Sequence, residues 1–94
     1  MTRRPSDAAL ACAVDALSFL ARDGARIERF LLATGLSPDD IRSVAAQPAF
    51  LVGVLDHLLA DEPLLLIYCE EAGVPSEDVW AARRTLGRLS EDQG

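Results

Sequence analysis

An internal repeat restricts how this chain can fold. Residues 13–45 align with residues 51–83 without a gap, at a constant offset of 38 positions. A helix–helix–glycine–helix unit of this size cannot bury its apolar face alone, so the repeat predicts a pseudo-duplication in which two three-helix units share one core. The alternative explanation of the similarity is that both segments use the same kinds of helix start and stop signal without a common origin. The identical pairs are Val14/Val52, Leu17/Leu55, Leu20/Leu58, Asp23/Asp61, Gly35/Gly73 and Asp40/Asp78.

Start and stop signals divide the chain into about six predicted helices. Ser6 is the expected N-cap of the first helix, which should run to about Arg22. Gly35 offers a left-handed cap to the second helix, and the segment 37–40, Ser-Pro-Asp-Asp, is typical of a capped helix start. Because period-two alternation extends over no useful length, the predicted fold class is all-α. The other helices are expected at about 25–34, 38–46, 49–60, 61–72 and 76–89.

The predicted domain organisation is one small helical domain. Half of the 94 residues are apolar, which is enough for one core. The domain is expected over residues 7–89, in approximate halves 7–46 and 48–89. The segments 1–6 and 90–94 are expected to be disordered tails.

Charge and cysteine content exclude several classes of protein. The net charge of −6 opposes attraction to nucleic-acid phosphates and to anionic lipid. Cys12 and Cys69 lack the spacing of a disulfide framework, which indicates a reducing, cytoplasmic compartment. Asp7 and Asp15 confine the N-terminal apolar stretch to residues 8–14, so we expect no signal peptide. No apolar run approaches about 18 residues, so we also expect no membrane span.

His57, the single histidine, is the first candidate for chemistry. It lies four residues before Asp61 on one predicted helix, but a metal site needs further ligands at a recognised spacing. A Cys–His nucleophilic pair would need a third orienting group. Because His57 aligns with Phe19 in the repeat, we interpret it as a ring at the edge of the core. We therefore predict no catalytic residue, cofactor or metal, with a small enzyme using His57 as one alternative.

The segment LLATGLSPDDIRSVA, residues 31–45, has the outline of a helix-turn-helix. The start of its second helix carries Asp39 and Asp40, which would repel phosphate, and Arg42 is the only nearby base. The last helix has a more suitable basic and aromatic face, although arginines at a solvated helix end are also expected for structural reasons. Nucleic-acid binding is therefore the other alternative, not the main prediction. The residues of that face are Trp80, Arg83, Arg84 and Arg88.

The fifth predicted helix is too apolar to face a single core. Six successive apolar residues, LLLIYC, must direct some side chains away from the core, unless the helix is surrounded. We therefore predict a non-enzymatic protein–protein interaction or adaptor module with a groove beside helices 1 and 5. The expected partner is another protein or a second copy of the chain, with no small molecule indicated. The candidate partner-binding residues are Leu64, Leu65, Leu66, Ile67 and Tyr68.

Several motifs together resemble a known protein family. These are FLARD at a helix end, FLLATGLSPDDIR, PAFLVGVLDHLLADE and the glycine after helix 5. Across residues 8–86 the chain resembles small bacterial proteins catalogued only as a domain of unknown function. The resemblance implies an all-helical bacterial cytoplasmic protein and assigns no activity to any residue.

Overall fold

The computed structural model describes residues 4–93, which form six helices and no strand. The prediction of an all-α fold is thereby confirmed. Across these residues, no helix is long and apolar enough to cross a membrane. The helices are α1 (Pro5–Ala21), α2 (Gly24–Thr34), α3 (Pro38–Val44), α4 (Pro48–Leu59), α5 (Glu62–Ala72) and α6 (Ser76–Gln93).

The two terminal boundaries differ from the predicted ones. Arg4, not Ser6, is the N-cap of α1, and it makes no side-chain capping bond. Pro5 occupies the first helical turn because its fixed φ suits a helix and its missing N–H would be unpaired there anyway. At the other end α6 continues past Leu89 to Gln93, since no proline or glycine interrupts residues 90–93. The segment expected to be a disordered tail is therefore helical over 90–93. Of the other expected tail, residues 1–3 lie outside the described residues, and Pro5 and Ser6 already belong to α1.

Helix caps form the joints that connect the first three helices. The Asp23 carboxylate accepts the Ala25 and Arg26 backbone N–H groups at 3.0 and 3.1 Å, which begins α2. Gly35 ends α2 in the left-handed conformation with φ +75°. Ser37 and Asp40 then form a reciprocal capping box at the start of α3. These contacts satisfy backbone N–H groups that have no partner inside the helix, so the predicted cap pattern of this segment is confirmed.

The second half repeats these joints at the offset of 38 positions. The limits of α5, residues 62–72, match those of α2, residues 24–34. Asp61 caps α5 through the Leu64 N–H at 3.2 Å, and Gly73 ends α5 with φ +68°. The joints on either side of α2 therefore recur on either side of α5, while the duplication that would explain this stays a prediction.

Three helices form the centre of the molecule. α1 and α4 pack against each other, and α6 packs against both, while α2 lies on α1 and α5 on α4. The core is entirely apolar apart from the hydroxyl of Tyr68. α1 approaches its neighbours closely because its buried stripe consists mainly of alanines. The fully buried larger side chains are Phe19, Leu20, Phe30, Leu51, Val54, Leu55, Leu58, Tyr68, Val79 and Leu86.

Three edge-to-face aromatic contacts connect the halves, and two of them are reciprocal. Phe19 of α1 meets Tyr68 of α5, with ring centroids 5.3 Å apart and planes at 70°. His57 of α4 meets Phe30 of α2 at 5.2 Å and 81°. Phe19 corresponds to His57, and Phe30 to Tyr68, at the offset of 38. Each half thus gives one aromatic position to the other, as the two sides of an isologous interface do.

The left-handed conformation of Gly35 predicts a measurable difference in stability between two glycine-to-alanine variants. Gly35→Ala should lower the free energy of unfolding by about 1–2 kcal/mol, because an L side chain at positive φ meets its own carbonyl. Gly53→Ala is the matched control: Gly53 lies inside α4, and an added Cβ there meets nothing within 4 Å. That variant should be neutral or more stable by up to about 1 kcal/mol. Urea unfolding followed by circular dichroism measures both, and equal stability of the two variants would contradict the prediction.

Candidate interaction site

The predicted apolar surface on α5 is divided between the core and the exterior. Leu65 and Tyr68 are buried, so their assignment to a partner-binding surface is wrong. They lie three residues apart on the stripe that faces the core, while Leu66 and Ile67 are 55% and 41% exposed on the other side. Leu64 is half-buried against the core. Only Leu66 and Ile67 therefore offer a contact surface here.

The predicted basic and aromatic face on α6 is also divided. Arg83 turns inward to α4, where its Nε donates to the Asp56 carboxylate at 2.9 Å. Trp80 is 48% exposed, and Arg84 and Arg88 follow it at intervals of four residues. These three side chains share the outer stripe of the helix. The exposed face is thus one tryptophan and two arginines.

The α2–α3 joint has the outline of a helix-turn-helix but the wrong charge for phosphate. α3 has seven residues, and no residue on it is buried. Its first turn carries Asp39 and Asp40, and the bonds that Ser37 gives to the Asp40 carboxylate lower the pKa of that group. Arg42 lies 3.6 Å from Asp39, with both side chains largely exposed. Two acidic residues at this position stabilise the helix start and repel a phosphate backbone.

His57 packs as an aromatic ring at the edge of the core, as expected. Its neighbour is the Phe30 ring, and partial burial lowers the pKa of its imidazole despite the nearby Asp61 carboxylate. A neutral imidazole suits this apolar contact. No group of three or more His, Cys, Asp or Glu side chains close enough to hold a metal ion occurs in the described part of the chain.

The two cysteine thiols are the other candidates for nucleophilic chemistry. Cys12 and Cys69 are both half-buried and free, and burial raises the pKa of each thiol. A protonated thiol is a weak nucleophile. Cys12 instead lines a cleft of about 530 Å³ between α1, α5 and α6, in which six of the thirteen lining residues are alanines.

One polar contact crosses that cleft. The Tyr68 hydroxyl donates to the Asp15 carboxylate of α1 at 2.8 Å. Burial, with this bond as the second cause, raises the pKa of Tyr68 well above its usual range. The contact therefore anchors α5 on α1 and leaves the phenol protonated. It gives the buried tyrosine the partner that its hydroxyl needs.

An apolar groove between α1, α2 and α3 was not predicted from the sequence. It encloses about 450 Å³, and its walls are almost entirely hydrocarbon. Arg42 is the single charged residue among its lining residues, and Ser18 the other polar one. A volume of this size is in the range of ligand and peptide sites. The apolar lining residues are Leu17, Ala21, Ile27, Leu31, Pro38 and Ile41.

The comparisons with known proteins identify a family and no activity. A family model described as a protein of unknown function (DUF3572) matches residues 6–88. No curated protein and no solved structure matches the chain. The matched range contains the groove, every helix cap described above except Arg4, and all the lining residues of the cleft except Pro5.

The burial of His57 predicts a pH dependence of stability. The folded chain holds His57 with a lowered pKa, whereas the unfolded chain binds a proton at an ordinary value near 6.5. Stability from this group is therefore present above about pH 6.5 and is lost as the pH falls below it. Between about pH 8 and 5, urea unfolding should show a smaller loss of stability for His57→Phe than for the natural chain. Phenylalanine is the residue at the corresponding position of the other half, Phe19. Parallel curves for the two proteins would contradict this.

The raised pKa of Tyr68, the single tyrosine, predicts a loss of stability at alkaline pH. Its raised pKa means that the unfolded chain loses the phenol proton first, so the stability from Tyr68 is present below about pH 10 and lost above it. The stability difference between the natural chain and Tyr68→Phe should therefore shrink between about pH 8 and 11. Both proteins keep the cysteines, whose ionisation cancels in the difference. A constant difference over this range would contradict the prediction.

Proposed function

The chain belongs to the family of proteins of unknown function DUF3572, and we propose that it acts as a non-enzymatic protein–protein interaction module. The observation that carries the proposal is the groove between α1, α2 and α3, hereafter the first-half groove. Its lining is apolar and open to solvent, and it is formed by side chains that a single chain of this size would otherwise bury. Burial of such a lining by a partner is the main source of affinity in protein complexes.

Further apolar residues are exposed around the molecule. Leu32 is 77% exposed on α2, immediately after the groove residue Leu31. Leu66 and Trp80 are about half exposed on α5 and α6. Isolated exposed leucines are common, so these positions carry less weight than a continuous groove.

The pKa values of the cysteine and histidine side chains favour a structural role for these groups over a catalytic one. The thiols have raised pKa values, and burial lowers the pKa of His57, so neither group is prepared as a nucleophile or a cation at neutral pH. The free cysteines also support a reducing bacterial cytoplasm as the location in this proposal. The partner is another protein or a second copy of the chain.

Affinity capture with matched variants tests the proposal. The tagged chain, cross-linked in extract of its native cell and analysed by mass spectrometry, should retain a partner that Leu31→Lys releases, because an ammonium group in the groove would be buried without a counter-charge. Leu32→Lys is the control, since it puts the same substitution on an exposed neighbouring position of α2. Leu66→Lys and Trp80→Ala report on the other surfaces.

The outcome against the proposal is equally specific. A chain that captures no protein under these conditions, and that sediments as a clean monomer, would not be an interaction module. Circular dichroism of each variant verifies that it folds.

A further inference from the structure

We infer that the cleft between α1, α5 and α6, hereafter the tyrosine cleft, binds a small organic amine. The ammonium group of the ligand pairs with the carboxylates of Asp15 and Asp78, and its flat hydrocarbon body lies on the alanine walls. The inference goes beyond the proposed interaction function, because the tyrosine cleft shares no lining residue with the first-half groove. The sequence alone indicates no small molecule, since the cleft is formed by helices that are far apart along the chain.

The tyrosine cleft lies at a position that an aromatic ring fills in the other half. At the offset of 38, Tyr68 corresponds to Phe30, and Cys12 corresponds to Phe50. The rings of Phe30 and Phe50 meet edge to face, with centroids 5.9 Å apart. At the corresponding place Tyr68 has the small thiol of Cys12 as its neighbour, and both residues line the cleft. The space left there, about 530 Å³, is in the range of small-molecule sites.

Polar groups from all three helices converge on the tyrosine cleft. Asp15 of α1 and Asp78 of α6 line it with carboxylates, and Tyr68 of α5 lines it with a hydroxyl group. The side chain of Tyr68 is only 2% exposed. Its ring contact does not require the hydroxyl, because Phe30 makes the corresponding contact with His57 without one. The hydroxyl therefore adds a hydrogen-bonding group to a core that is otherwise apolar.

The charge of the lining selects a cation. Among the described residues that line the tyrosine cleft, two carry a carboxylate and none carries a basic group. Within residues 4–93, the ion pairs of arginine involve other acidic residues than Asp15 and Asp78. The bond from Tyr68 uses one oxygen of the Asp15 carboxylate and leaves the other able to accept an N–H group. An ammonium ion would give both carboxylates a charged donor.

The walls of the tyrosine cleft select the body of the ligand. Its alanines include two buried ones, Ala9 and Ala82, and more exposed ones such as Ala11 and Ala81. Short side chains do not fold over a ligand, so the buried area has to come from a flat group that lies along the helices. A planar hydrocarbon body that carries one ammonium group is therefore the expected class of ligand.

Both parts of this ligand are required for affinity. Asp15 and Asp78 are exposed, and an ion pair on an exposed carboxylate contributes little by itself. The apolar walls contribute only when a hydrocarbon group covers them. An amine without the planar body should therefore bind weakly, and a planar acid should not bind.

Alanine-methyl NMR of the full chain tests the site, with 2-phenylethylammonium as the probe. Titration should shift the signals of Ala11 and Ala81, which line the tyrosine cleft, and leave that of Ala33 on α2 unchanged. 3-Phenylpropanoate, with a similar shape and the opposite charge, should produce no shift. Ethylammonium, which has the charge without the ring, should bind about tenfold more weakly or less.

Two neutralising variants test the carboxylates. Asp15→Asn and Asp78→Asn should each weaken the binding of 2-phenylethylammonium about tenfold, since each removes a charge and keeps the shape of the side chain. In Asp15→Asn the amide oxygen still accepts the Tyr68 hydroxyl, so α5 stays attached to α1. Asp7→Asn is the matched control, because Asp7 lies on the same helix, exposed and outside the lining. Its replacement should leave the affinity unchanged.

Two filling variants test the space. Cys12→Phe puts into the tyrosine cleft the ring that Phe50 supplies in the other half, and should abolish binding of the amine. Ala11→Leu fills the cleft from an exposed position, so a failure of Cys12→Phe to fold leaves an equivalent variant. Circular dichroism verifies the folding of both. Leu31→Lys, in the first-half groove, should leave amine binding unchanged.

Several results would overturn the inference. No shift of the cleft signals up to about 10 mM amine, equal effects of Asp15→Asn and Asp7→Asn, or unchanged binding to the folded filling variants would each exclude the site. Equal affinity for n-butylammonium, which has the shape of a lysine side chain, would make a lysine of another protein the ligand instead of a free planar amine.

The two proposals can fail separately. If Leu31→Lys releases a captured protein while no amine binds, the interaction function stands and the amine site is wrong. If the amine binds as described and no protein is captured, the amine site stands and the interaction function is wrong.

Discussion

The reciprocal pair of aromatic contacts is the constraint on which the rest of the structure depends. Phe19 and Tyr68 meet at one point, and Phe30 and His57 meet at the corresponding point of the other half. Each contact joins a central helix to a flanking helix of the other half, so neither half can separate without exposing four rings. Contacts of this geometry contribute about 0.5–1.5 kcal/mol beyond the area that they bury. The hydrogen bond from Tyr68 to Asp15 fixes one of them further.

Because the two halves make reciprocal contacts, the difference in length between their third helices can be related to the surface of each half. Helices α2 and α5 have equal lengths and equivalent caps, but α3 is much shorter than α6. A single long helix can cover both α1 and α4 on one side, and this is sufficient to form a core of fully buried leucines. The corresponding cover is missing beside α3. The first-half groove results from this difference in helix length, not from a local irregularity of the backbone.

The sequence predicts the joints of the fold better than its surfaces. The cap residues Ser37, Gly35 and Gly73 act on backbone groups within a few positions, so their roles can be derived locally. Ser6 was assigned wrongly because a neighbouring proline competes for the same helix start. In the LLLIYC segment every position is apolar, so the pattern alone does not specify which residues face the core. The alternation of burial on α5 depends on contacts with α1 and α4, which lie far away in the sequence.

The groove could not be found from either half alone. Leu17, Ile27 and Ile41 have the residue types and spacing of core positions, and their counterparts are core positions. Their partial exposure depends on long-range packing, because α6 packs against α1 and α4 whereas no residue of α3 is buried. The sequence contains one signal of this difference, the proline at position 48. A proline interrupts a helix, whereas the second half continues as helix at the corresponding position. An apolar set with the composition of a core and only partial burial is the arrangement expected of a surface that another molecule covers.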